Sequence, residues 1–182
     1  MKSKSTLFYY IVIFSIQSAA LIATTLISLR AIRNSIYSET TSQLITTARL
    51  AANSFRYSSM EESDIQAFVS AAVEGTSLRM TVVFPDGRVA GDSHFEKDLM
   101  ENHGGRPEII SGLSGGEGAA LRYSDTLKQF MAYAAVPAEG KNGYRAVLRV
   151  SLPLEEIKKI FTAVLTRITA AGAVMLVFAL LG

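Results

Sequence analysis

The chain has 182 residues, 49% of them hydrophobic, with a formal net charge of +2 and no cysteine. The missing cysteine excludes a disulfide framework, a thiolate metal site and a cysteine nucleophile. A charge this small, with Lys and Arg scattered along the chain, gives no case for nucleic-acid binding.

Residues 1–6 are a short tail, expected to be cytoplasmic. Leu7 to Leu29 then runs 23 residues without a charge. As a helix rising about 1.5 Å per residue, that is long enough to cross a hydrocarbon core of about 30 Å. A cleavable signal peptide is the alternative, because Lys2 and Lys4 give a basic start and Ser18, Ala19 and Ala20 imitate a cleavage site. The run outlasts the usual signal-peptide core and passes into a helical pattern without a turn signal, which favours an uncleaved anchor. Lys2 and Lys4 are matched by Arg30 and Arg33 beyond the span, so the positive-inside count is a tie. The expected topology puts the tail inside and residues 30–159 outside.

From Ile32 the apolar or small positions Ile36, Leu44, Ala48, Ala51, Ala52 and Phe55 recur at helical spacing, so the membrane helix is expected to continue as a stalk. A second helix is expected over Glu61 to Glu74, opened by the Ser59-to-Glu62 capping-box pattern and ended by Gly75. Leu78 to Phe84 and Arg88 to Gly91 read as strands joined by the Pro85-Asp86-Gly87 turn. A polar insert, Asp92 to Gly118, carries one short helix over Pro107 to Leu113. Three strands follow, Ala119 to Asp125, Phe130 to Val136 and Tyr144 to Leu152, separated by short breaks at Thr126 to Lys128 and Ala138 to Gly143. These elements predict an α+β domain with a five-stranded antiparallel sheet and a long N-terminal helix. Pro153 suits the first turn of a further helix, with Glu155 and Glu156 near its positive end and Lys158 and Lys159 one turn on. Ile168 to Gly182 is again apolar but spans only about 22 Å, so residues 160–182 are expected to form a juxtamembrane turn and an incomplete second transmembrane helix.

An ordered series lies between the apolar ends: Pro85-Asp86-Gly87-Arg88-Val89, Asp92-Ser93, Glu101-Asn102-His103, Arg106-Pro107-Glu108, Gly115-Gly116-Glu117-Gly118, Arg122 to Leu127 and Met131 to Pro137. It resembles the extracytoplasmic sensor of PhoR-type phosphate-regulon histidine kinases. In that family a PAS-like, single Cache-like domain sits between two transmembrane helices, followed by cytoplasmic signalling and kinase domains. The resemblance covers the input half only. It implies a bacterial cytoplasmic-membrane protein, a homodimer in contact with lipid, and a response regulator as partner of the kinase region. No cofactor is implied for this chain, while ATP and Mg²⁺ are implied for the kinase region. The competing expectations are the input region of a chemoreceptor or cyclic-dinucleotide enzyme, and a stand-alone membrane-anchored binding protein.

PAS-like sensors generally place their pocket between sheet and insert, which implies Asp92, His103, Arg106, Arg122 and Tyr133 near its mouth. Two guanidinium groups suit a small anionic ligand through paired donors, and a partner protein is the other signal considered. The structural alternative pairs Asp92 with Arg106 or Arg122 and leaves Tyr133 as core cover. Asp92, His94, Glu96, Glu101 and His103 offer metal-type ligands, but without fixed spacing they read as a solvated loop. Gly112, Gly115, Gly116 and Gly118 lack the Gly-Lys-Ser/Thr ending of a phosphate loop. Asp92, Ser93 and His94 are adjacent and cannot converge as a catalytic triad. No catalytic residue is expected, and Pro153, Glu155 and Lys159 are expected to carry the signal from the last strand into the following helix.

Overall fold

A computed structural model describes residues 2–57, 62–124, 127–140, 143 and 145–181. The chain divides into two compact units, Met1–Ser38 and Glu39–Gly182. Helix α1 (Lys2–Tyr57) starts in the first and ends in the second. Within Phe8–Phe55 an 18-residue window has a mean hydropathy of 2.0 with none of it buried, so α1 is a candidate membrane span. Helix α1 is continuous over Lys2–Tyr57.

The second unit holds α2 (Glu62–Ala72), β1 (Arg79–Val83), β2 (Val89–Asp92), α3 (Pro107–Leu113), β3 (Gly118–Ser124), β4 (Gln129–Glu139), β5 (Arg145–Pro153) and α4 (Glu155–Leu181). The strands form one antiparallel sheet in the order β2-β1-β5-β4-β3. Each expected strand is present, with ends shifted by a few residues. Ser59 of the capping box lies outside the described residues, as do Asp125 and Thr126 of the β3–β4 turn. A 3₁₀ turn at Lys97–Leu99 inside the insert was not expected.

Side chains alternate across the sheet, so register sorts them into two faces. Met80, Val82, Leu148, Val150, Ala132 and Ala134 are buried on one face. Ile65 of α2 lies against Gly91 on that face, where an added Cβ would sit 3.0 Å from Ile65 Cγ2. Leu44, Ala48, Ala52 and Phe55 form the buried stripe of α1, and Phe55 meets Phe68 of α2 edge-on at 5.4 Å. The other face carries Val83, Ala135 and Val147, which close a small core with Ile109 of α3. Further along this second face the apolar residues give way to Arg79, Thr81, Arg149, Ser151, Tyr133 and Arg122.

Two glycines explain how closely α3 lies on that face. A Cβ on Gly118 would meet Glu108 O at 2.6 Å, and one on Gly112 would meet Val147 Cγ1 at 2.7 Å. The glycines that imitate a phosphate loop therefore include two that allow helix–sheet contact.

Two boundaries differ from expectation. Pro153 ends β5, paired with Met131, and α4 begins at Glu155. The peptide nitrogens of a strand point alternately to either side, and Leu154 N donates to Phe130 O at 2.9 Å. The Pro153 nitrogen therefore faces away from β4, beyond Ser151, the last β5 residue paired to β1, so its missing N–H breaks no ladder bond. Helix α4 also runs unbroken to Leu181, with no turn near residue 160.

Candidate functional site

The insert after β2 is pinned by its own polar residues. Asp92 Oδ1 accepts from His94 N at 3.0 Å and Phe95 N at 3.1 Å, turning the chain away from the sheet. The Gln66 side chain of α2 satisfies the Asp92 backbone, accepting from its N–H at 3.2 Å and donating to its carbonyl at 2.8 Å. Farther along, Asn102 Nδ2 donates to Asp86 O at 2.8 Å and His103 N donates to Gly87 O at 2.8 Å. This close approach explains the glycine at 87, where φ is 83° and an added Cβ would strike Asn102 and Gly104. The β1–β2 turn is thus the dock for the insert.

Between insert and sheet lies a cavity of about 770 Å³. Its floor comes from the sheet, with Arg79, Arg149, Tyr133, Arg122 and Ser124, and its roof from the insert, with Phe95, Met100, His103 and Arg106. Four of the five residues expected at the mouth line it: His103, Arg106, Arg122 and Tyr133. Asp92 does not, and its predicted partner was also wrong. Its carboxylate is buried against Arg79, with Nε at 3.0 Å from each oxygen and Nη2 at 2.9 Å from Oδ2, and Thr81 Oγ1 donates to it at 2.7 Å. Burial raises the Asp92 pKa, but the Arg79 hydrogen bond and charge, the His94 N–H and the Thr81 hydroxyl together hold it below the ordinary value.

The cavity floor contains a second buried ionic group. Glu108, fully buried on α3, accepts from Arg122 Nη2 at 3.1 Å and lies 3.5 Å from Arg149 Nη1. Arg149 Nη2 donates to Thr81 Oγ1 at 3.1 Å, which links the two ionic groups. Tyr133 packs between the arginines, its ring 4.1 Å from the Arg122 guanidinium and 5.1 Å from that of Arg149. Burial lowers the Arg149 pKa to about 10 against the opposing pull of Glu108, which leaves it a cation at neutral pH. Glu108 Oε2, Arg122 Nε, Arg149 Nε and Ser151 Oγ are buried without a hydrogen-bond partner among the described residues. A buried polar group left without any partner costs about 1–3 kcal/mol.

Arg106 differs from the other three arginines. It is half-buried at the start of α3, and its guanidinium has no ion pair or hydrogen bond among the described residues. His103 is buried, with Nδ1 2.7 Å from Glu101 O. Burial, then the charges of Arg149, Arg106 and Arg79, push its pKa down to about 4 despite the Glu101 carbonyl, so it is neutral at physiological pH.

Sequence reasoning missed Arg79, Arg149 and Glu108. A signal for Arg149 was present: it interrupts the apolar run Ala146-Val147-Leu148 and Val150, and a charge there is foreign to a central strand buried on both faces. Glu108 gave no such signal, because an acidic residue is ordinary in the first turn of a helix. Among the described residues no three His, Cys, Asp or Glu gather as a metal site. Glu155 and Lys159 stand one turn apart on α4, the first half-buried and the second exposed.

No family model matches the chain, and no curated protein matches it. Solved structures share the fold. The sensor domain of Escherichia coli DcuS aligns at TM-score 0.51 and 17% identity, over 66% of this chain and 96% of that domain. The Campylobacter jejuni chemoreceptor Tlp3 sensory domain, solved with isoleucine bound, aligns at 0.57 and 14%, over 79% of this chain and 65% of its own length. The Pseudomonas aeruginosa PAO1 amino-acid chemoreceptor PctC, solved with GABA, aligns at 0.57 and 10%, over 76% and 66%. The chain therefore spans nearly all of the DcuS domain and about two thirds of each chemoreceptor domain, and it has the α+β fold of bacterial sensor domains.

Proposed function

We propose that this chain is the extracytoplasmic sensor and membrane anchor of a bacterial two-component histidine kinase, and that the 770 Å³ cavity takes a small anion as its signal. The observation that carries the reading is the charge around that cavity. Arg79, Arg106, Arg122 and Arg149 line it, and among the described residues two buried carboxylates, Asp92 and Glu108, oppose them. Guanidinium groups held in place offer directed donors to an oxyanion without further ordering. The unpartnered polar atoms beneath the cavity support the same reading, since a purely structural core gains nothing from them.

In this account β5 passes the signal to α4 through Pro153, while α1 supplies the second connection to the membrane. Glu155 and Lys159 belong to the first turns of that outgoing helix. The functional unit is proposed to be a lipid-embedded homodimer with α4 as second span, acting through a kinase on a response regulator. The kinase output is supported by the residue series resembling PhoR-type sensors and by DcuS, a histidine kinase, among the fold relatives. The chemoreceptor domains favour a second reading, input to a chemoreceptor signalling module. The coding sequence after Gly182 separates them: a histidine-bearing dimerisation helix with an ATP-binding module, or a long methylatable coiled coil.

The ligand claim is tested by thermal unfolding of the full chain in lipid nanodiscs with phosphate, sulfate and small carboxylates. At a hundred times Kd, binding adds about 2.7 kcal/mol, which raises Tm by several degrees. Arg106→Ala should remove that rise, and chloride at equal ionic strength should not produce it. A Tm indifferent to every anion, or a rise unaffected by Arg106→Ala, contradicts the proposal.

A further inference from the structure

Four arginines dominate the polar part of the cavity wall, and the buried ring of His103 faces the same space. Its Nδ1 lies 2.7 Å from a carbonyl oxygen, which can only accept, so Nδ1 carries the proton. The ring is neutral at physiological pH, so Nε2 bears a lone pair. That atom has no hydrogen-bond partner among the described residues, and His103 lines the cavity. A plain carboxylate could satisfy the arginines but would leave this acceptor stripped of water and unpaired. The ligand therefore needs a donor as well as an anionic group.

The surrounding charge decides what kind of donor. Arg149, Arg106 and Arg79 all act on the His103 ring and disfavour a proton there. The same field disfavours an ammonium group placed against Nε2. Glu96 and Glu101 line the cavity from its exposed rim, where solvent screens them, and His94 is exposed beside them. A neutral donor fits this position and a cationic one does not.

We infer that the ligand is a small hydroxycarboxylate, with its carboxylate on the guanidinium groups and its hydroxyl donating to Nε2 of His103. This rests on the anion-site reading above and narrows it from any oxyanion to one chemical class.

The test uses the full chain in nanodiscs and calorimetric titration at pH 7.5 with two matched series: propanoate, 2-hydroxypropanoate and 2-aminopropanoate, and butanedioate with its 2-hydroxy and 2-amino derivatives. The hydroxy acid of at least one series should bind about tenfold more tightly than its deoxy parent, as one hydrogen bond to an otherwise unpaired acceptor provides. The amino acid should be the weakest of the three. His103→Phe should abolish the hydroxyl preference, and His103→Gln, whose Oε1 accepts, should keep it. Equal binding of hydroxy and deoxy acids, best binding of the amino acid, or a preference that survives His103→Phe overturns the inference and leaves the anion site standing. Binding of phosphate or sulfate with no carboxylate does the same. Failure of every anion overturns both.

Discussion

Asp92→Asn isolates the largest structural consequence of the site. The substitution keeps shape and one acceptor oxygen but removes the charge that opposes Arg79, whose own side chain is 4% exposed. Breaking a buried ion pair from one side costs about 3–5 kcal/mol, because the remaining charge stays buried. For a domain whose total stability is about 5–15 kcal/mol that is a large fraction, and at about 1–3 kcal/mol per molar urea the midpoint should fall by more than 1 M. The double variant Arg79→Met/Asp92→Leu should lose less than the sum of its single variants, since neither charge is left alone. Urea unfolding of the full chain in micelles, followed by far-ultraviolet circular dichroism, reads all three. The deficit of Asp92→Asn should also depend on pH. Because the folded carboxyl titrates below its ordinary value, its contribution is present above the unfolded pKa of 3.8 and is lost as pH falls through the folded value. An unchanged midpoint together with lost anion binding would refute this reasoning and make Asp92 a ligand residue.

Two further outcomes follow from the same geometry. His103 titrates at about 4 when folded and at about 6.5 when unfolded, so the unfolded chain gains the proton first and stability should fall between those pH values, by on the order of 3 kcal/mol. His103→Gln should flatten that part of a pH–Tm profile, and an unaltered slope counts against the buried neutral imidazole. Gly118→Ala should drive a methyl into the Glu108 backbone and Ser111, costing about 1–3 kcal/mol. It should weaken anion binding as well, because Glu108 moves with α3, and a variant as stable as the parent would show that the contact is loose.

The elements were legible because their local signals agree. Pro85-Asp86-Gly87 turns where it should, Pro107 opens α3, Gly75 follows α2 with φ of 74°, and alternating apolar runs became strands. The site was legible only in part, because it depends on pairings far apart in sequence. Asp92 and Arg79 meet across one hairpin, but Arg149 reaches Thr81 and Glu108 only because β5 inserts between β1 and β4. Strand order and register decide which arginines share a face, and no local pattern encodes them. Proline suits both a helix start and a strand position without a ladder partner, so Pro153 alone does not mark where β5 ends and α4 begins.

The central claim is that an anion binds between the insert and the arginine-bearing sheet face. Hydrogen–deuterium exchange of the full chain in nanodiscs, with and without a saturating bound anion, tests it most directly. The account predicts slowed exchange concentrated in residues 93–106 and in the facing parts of β3, β4 and β5. Slowing confined to the other end of the sheet, at the cavity lined by Ala52, Gly112 and Arg145, would contradict it.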